Sequence, residues 1–353
     1  MTGLRNKTRC GLSAPRAMLI AAGLCAAALA ASGGAIAEAR RTPVMGRPAE
    51  AAPVPHRVWS RSAPLAQSRT RLAGFETAPF PYNGWMPGKD KPFHDIVDGD
   101  RRGHSSPRGH VFWEEETFSD PRVLLHIPKG FDARRPGLMV IYFHGHRATL
   151  ERDVHTRQQV PAQITRSGSN AVLVAPQFAV NAADSSAGRF WEPGAFGRFL
   201  GEAAQHLAQL HGDRRTVRTF ASMPVVIVAY SGGYLPTAWS LTRGGLEKRL
   251  RGVVLFDALY GELGIFADWI GNDPSAFFIS SYTSSTRGRN AELQRILSER
   301  EVAFTTSMPR ALRPGSIAFL STDADTSHND FVTRAWVDDP IRDLLDRIGG
   351  FRR

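Results

Sequence analysis

The segment Ala229-Tyr230-Ser231-Gly232-Gly233 closes the β-branched run PVVIVAYS and precedes a stretch of helical character. A serine in a sharp strand-to-helix turn has its hydroxyl lifted above the sheet, and such a turn demands small neighbours. The next backbone N–H, that of Gly232, points toward the same place. This arrangement suits nucleophilic attack on a carbonyl, given a base to take the hydroxyl proton. The plain alternative is a serine–glycine turn without chemistry. A second group, His144, His146, Asp153 and His155, has the residue types of a zinc hydrolase. Six residues separate His146 from Asp153, too many for a compact H-x-H-x-D-H run, so no metal is expected. No P-loop and no G-x-G-x-x-G after a strand is present, and no cofactor is expected either.

These residues need a scaffold. HVFWEEETF and RVLLHIPKG read as two strands of an opening hairpin or meander. Six near-continuous apolar runs follow: LMVIYFHG, NAVLVAPQ, PVVIVAYS, GVVLFDAL, AFFISSYT and SIAFLST. Helical segments separate several of them: residues 150 to 166, the amphipathic AFGRFLGEAAQHLAQL, the segment from Tyr234, and residues 290 to 298. Apolar runs alternating with helices predict parallel strands covered on both faces. The expected fold is α/β, a doubly wound, mostly parallel sheet with its functional loops at the carboxyl ends of the strands.

With that setting, the serine turn resembles the nucleophile elbow G-x-S-x-G of the α/β-hydrolase fold, with Ala229 in place of the first glycine. The resemblance covers roughly residues 110 to 345. It implies the chain order Ser, acid, His. Of the eleven histidines only His328 follows Ser231, in the polar loop STDADTSHNDF after the last predicted strand. The acid's usual place in the resembled fold is the end of AFFISSYTSS, which holds no carboxylate. Some relatives take it one strand earlier, where Asp257 ends GVVLFD, so Asp257 is the expected acid, with Glu262 and Asp325 in reserve. The resemblance also implies an HG motif, here His144-Gly145, whose following amide, on His146, joins that of Gly232 as an oxyanion donor. Arg147, Trp191 and Tyr234 are the expected substrate-binding residues.

The ends and the charge bound the rest. Arg5, Lys7, Arg9 and Arg16 precede the apolar run from Met18 to Ala31, and Ala35-Ile36-Ala37 supplies a signal-peptidase pattern. Residues 1 to 37 are expected to be a signal peptide, and the mature chain periplasmic or secreted. Both cysteines, Cys10 and Cys25, fall within it, which leaves no disulfide or thiolate chemistry. Residues 38 to 75 read as a basic Pro/Ala/Arg-rich disordered tail or linker, suited to an anionic surface or to none. Residues 76 to 353 are the expected hydrolase-like domain. No later segment is apolar enough to span a membrane, and nothing suggests a nucleic-acid partner. The expected substrate is a small or envelope-derived ester or amide. An acyltransferase of the same fold, or a non-catalytic envelope-binding protein, would share these features.

Overall fold

The computed structural model describes residues 63–106, 109–322 and 326–353. The expected signal peptide, most of the basic tail and Asp325 lie outside them. The strands are β1 Arg69–Gly74, β2 Ile96–Asp98, β3 Arg101–Ser105, β4 Val111–Trp113, β5 Arg122–Ile127, β6 Leu138–Phe143, β7 Ala171–Pro176, β8 Val225–Tyr230, β9 Leu250–Phe256, β10 Phe277–Tyr282 and β11 Ile317–Ser321. Eight form one sheet in the order β1-β5-β7-β6-β8-β9-β10-β11, and β2-β3-β4 form a separate antiparallel sheet. β5 runs antiparallel to both neighbours, while β7, β6 and β8 to β11 are mutually parallel.

The central strands are buried along their whole length because both faces are covered. Along β6, Met139, Ile141 and Phe143 enter one core and Leu138, Val140 and Tyr142 the other, as the two-residue period requires. The helices are α1 Glu114–Thr117, α2 Val160–Arg166, α3 Ala195–His211, α4 Val217–Ala221, α5 Tyr234–Arg243, α6 Leu263–Asn272, α7 Arg287–Glu299 and α8 Pro340–Arg347. Helices α3 to α7 pack into the first core through side chains such as Phe199, Phe220, Ala238, Phe266 and Leu293. Helices α2 and α8, through Ile164 and Leu344, pack into the second. Each fully buried aliphatic or phenyl side chain contributes about 1.5–3 kcal/mol. The expected doubly wound sheet is therefore present.

Three readings of the sequence need correction. The segments HVFWEEETF and RVLLHIPKG do not form a hairpin: Val111–Trp113 pairs with β3 in the small sheet, and β5 pairs with β1 and β7. Strand β1 itself lies inside the stretch read as tail. Its sequence RTRLAG has the charged side chains that keep an edge strand from recruiting another chain, and that composition masks its strand character. The single helix expected over residues 150 to 166 is two elements, a π-helical segment Leu150–Arg157 and α2. Gln159 breaks them apart with φ of 51°, and Pro161, lacking an N–H, fits only in a first turn.

His126 ties this sheet together. Its ring nitrogens lie 2.7 Å from Thr70 Oγ1 on β1 and 2.8 Å from Thr165 Oγ1 on α2. Burial, helped by the charges of His155 and Arg353, pushes its pKa down to about 4. Unfolding restores the ordinary value of 6.5. Between these values the unfolded chain binds the extra proton, so stability is lost as pH falls from about 6.5 toward 4. Thermal melts at pH 7 and pH 4.5 should show a lower melting temperature in acid. The acid-induced drop should be smaller in His126→Asn, although that variant starts less stable.

Candidate active site

Ser231 follows β8 directly, with φ of 52°, and a single 3-10 turn, Ser231–Gly233, leads into α5. A non-glycine residue in this left-handed region costs on the order of 1–3 kcal/mol. The turn closes only because its surroundings are bare. A Cβ on Gly233 would come 2.5 Å from the Phe143 carbonyl oxygen, and one on Gly145 would come 2.7 Å from Ser231 Cβ. Ala229, at the position where the elbow pattern has glycine, is fully buried between β6 and β9. One methyl group is therefore accommodated there.

His328 Nε2 lies 3.0 Å from Ser231 Oγ, and its Nδ1 lies 2.6 Å from Asp257 Oδ2. An ionised carboxylate only accepts, so Nδ1 carries the proton and Nε2 is left to accept from the serine hydroxyl. Asp257 is fully buried at the end of β9, with φ of 42°. Its Oδ1 accepts from the Thr283 amide at 3.0 Å and from Thr286 Oγ1 at 2.5 Å. Its Oδ2 also accepts from Thr283 Oγ1 at 2.7 Å and Ser285 Oγ at 2.6 Å. Burial opposes the charge, but the hydrogen bonds from His328, Ser285, Thr286 and Thr283 outweigh it and hold the carboxyl well below the usual carboxylate range.

The histidine loop is held from several sides. Tyr230 donates its hydroxyl to the His328 carbonyl at 2.9 Å, and its ring stacks on the imidazole with centroids 5.0 Å apart. Arg157 donates to the Asn329 carbonyl at 2.8 Å. Ser327 caps the 3-10 turn His328–Asp330.

The other side of the serine is shaped by His144, which is buried at the end of β6. Its Nε2 accepts from the Phe178 amide at 2.9 Å, so Nδ1 is the protonated nitrogen and donates to the Gly145 carbonyl at 2.8 Å. Burial brings its pKa down to about 4, which preserves this neutral tautomer at ordinary pH. In a trans peptide the N–H points opposite to the C=O. Fixing the Gly145 carbonyl therefore fixes the direction of the His146 amide. The Gly232 amide lies in the first turn of a helical segment, where no preceding carbonyl is in register to accept it. The next amide along from His146, on Arg147, is committed to the Ala182 carbonyl at 2.8 Å.

Ser231, His328 and Gly232 open into a cavity of about 490 Å³ that is also lined by His146, Arg147, Tyr234 and Tyr260. Trp191 lines a neighbouring cavity instead, together with Glu262. Glu262 stands at the N-cap position of α6 without a side-chain capping bond, and the carboxylate bonded to His328 is that of Asp257. The four residues of the metal alternative do not converge. His144 is engaged as above, and Asp153 receives Arg152 and Arg157. Among the described residues no group of three or more His, Cys, Asp or Glu is placed to hold a metal ion. Sequence reasoning did not pick out Thr283, Ser285 and Thr286 as donors to Asp257, nor Tyr230 as the support of His328. A hydroxyl-rich strand end without a carboxylate, SSYTSST, was the available signal for the first group.

No family model and no curated protein matches this sequence. Solved structures do resemble it. A mutant feruloyl esterase module from Clostridium thermocellum, complexed with sinapinate, is 12% identical, with 78% of this chain and 98% of that chain covered and a TM-score of 0.43. An S-formylglutathione hydrolase from Agrobacterium tumefaciens is 12% identical, covering 72% and 98%, with a TM-score of 0.41. An IroE-like serine hydrolase from Shewanella oneidensis is 11% identical, covering 70% and 78%, with a TM-score of 0.37. The fold is of the α/β-hydrolase type, with the mostly parallel eight-stranded sheet and the serine elbow after β8.

The donors around Asp257 give a direct test. Thr286→Val keeps the shape and removes one hydrogen bond to a buried charge, which should cost about 1–3 kcal/mol in urea unfolding at pH 7. The folded pKa lies below the ordinary 3.8, so the charge contributes stability above that value and loses it as pH falls through the folded value. The unfolded value is common to both proteins, so the difference between variant and wild type should stay constant through about pH 4. It should narrow only once pH falls through the variant's folded value, which lies above that of wild type.

Proposed function

We propose that the protein is a serine hydrolase that cleaves an ester or amide through an acyl-enzyme. The observation that carries this reading is the unbroken line of hydrogen bonds from Asp257 Oδ2 through His328 to Ser231 Oγ, at 2.6 and 3.0 Å. His328 Nε2 takes the hydroxyl proton as Ser231 Oγ bonds to the substrate carbonyl carbon. The carbonyl oxygen becomes an oxyanion held by the amides of Gly232 and His146. Asp257 stabilises the imidazolium without taking its proton. The imidazolium protonates the departing alkoxide or amine as the bond to the leaving group breaks. Water, deprotonated by the same nitrogen, then attacks the acyl-enzyme, and Ser231 recovers its proton. Tyr230 and His144 serve as positioning residues, one for the histidine loop and one for the oxyanion amide. On this reading Arg147 and Tyr234 meet the substrate at the cavity wall.

Export belongs to the same reading. We infer cleavage after Ala37, supported by the basic start, the short apolar run and the small-residue pattern that precede it. Expression of the full chain in a secreting host should give a product whose intact mass begins at Glu38. A product retaining residues 1 to 37 would overturn that part.

A fluorophosphonate probe tests the chemistry. It should phosphonylate Ser231, with loss of fluoride, and peptide mapping should find the label there. Ser231→Ala and His328→Ala should remove labelling and lower kcat on an ester such as p-nitrophenyl acetate by several orders of magnitude. Full activity in Ser231→Ala would exclude this mechanism.

A further inference from the structure

Beside the Ser231 cavity lies a second one of about 660 Å³. His146, Ala183, Ser185 and Tyr234 line both. His146 Nε2 and Ser185 Oγ are 2.7 Å apart, so a hydrogen-bonded pair forms a saddle between the two. A substrate reaching Ser231 can therefore extend across this saddle, and the chemistry of the second cavity says what the extension is.

Aromatic residues line the second cavity: Trp239, one face of whose ring carries the Arg243 guanidinium at 5.0 Å, the mostly buried Trp191, and Tyr234 at the junction. The lining also carries charged groups of both signs: Lys89, Glu262, and Asp184, whose largely buried carboxylate already accepts from the Ser186 amide at 2.7 Å. A second lysine on its wall, Lys91, is already paired with Asp95 at 2.6 Å. Burial, and then the charge of Glu262, raises the pKa of Tyr234, so its hydroxyl stays protonated and able to donate. An acyl chain would call for walls that are apolar throughout. An anionic group would call for a clear cationic excess, often a bidentate arginine. A neutral polyhydroxylated ring presents a C–H face that packs on an aromatic side chain. Around its edge are hydroxyls that each donate and accept, and here carboxylates accept while lysine and tyrosine donate.

We propose that this second cavity is a subsite for a neutral sugar ring, and that the substrate is an ester in which a sugar hydroxyl supplies the alcohol. The assignment rests on the serine-hydrolase reading. The acyl carbon sits at Ser231, and the sugar crosses the His146–Ser185 saddle to lie against Trp239. On cleavage the sugar leaves with its hydroxyl restored by the proton from His328.

The test compares two acetyl esters that share the acyl group: a methyl glucopyranoside carrying one acetyl group, and ethyl acetate. Wild-type kcat/KM should favour the sugar ester by about tenfold or more. In Trp239→Ala and Glu262→Gln that preference should fall at least about fivefold. The preference is a ratio within one protein, so a loss of folded fraction does not alter it. Equal kcat/KM on the two esters, or a preference untouched by both variants, overturns the subsite and leaves the hydrolase standing. Absence of hydrolysis on both esters, with Ser231 unlabelled by the fluorophosphonate probe, overturns the hydrolase reading and the subsite with it.

Discussion

The buried charge of Asp257 is the constraint on which the site depends. A carboxylate removed from water is stable only if its lone pairs are met, and leaving such a charge unpaired costs several kcal/mol. Here they are met by Thr283, Ser285, Thr286 and His328. The first three come from the segment between β10 and α7, and His328 from the loop after β11. One carboxylate therefore sets the register of three strand ends. The requirement is chemical as well as structural, since the same oxygen that accepts from Ser285 fixes the His328 tautomer.

Three of the strained backbone positions lie in the turns that follow the central parallel strands. Arg147, Ser231 and Asp257 each follow a parallel strand and each has φ between 42° and 57°. None is glycine, so each strand end carries a conformational cost that the surrounding packing has to offset. The fully buried runs of β6, β8 and β9 do so. Rigid strands below and sharply turned ends above hold side chains at fixed heights, which loops of ordinary flexibility would not.

Much of this was legible in the sequence. The six runs that became β6 to β11 are apolar on both faces, so no competing period obscured them. Ser231 was found from its residue type and setting, and His328 from the chain order that the resemblance implies; the geometry brings the two together. What escaped is instructive. Strand β1 is an edge, needs no apolar face of its own, and therefore looked like the tail before it. Strands β2 and β3 are three and five residues long, too short to show a period, and β4, although read as a strand, pairs with β3 instead of the expected partner. The supporting roles of Tyr230 and His144 depend on where a hydroxyl or ring nitrogen points, and chain spacing does not encode that. Trp191, expected among the substrate-binding residues, lines the cavity that adjoins the one holding Ser231.

The position of the acid shows why the hydroxyls matter. In the resembled fold the carboxylate usually stands at the end of the strand that corresponds to β10. Here β10 ends in Tyr282, with Thr283 following, and the carboxylate stands one strand earlier, at the end of β9. Moving a charge by one strand spacing leaves its former neighbourhood without an anion and its new one in need of donors. Both conditions are met by one change: the β10 end supplies hydroxyls and an amide instead of a carboxylate. Asp257 Oδ2 still reaches His328 Nδ1 because the β10 end, now donating, closes over it from the side and the loop after β11 bridges the gap.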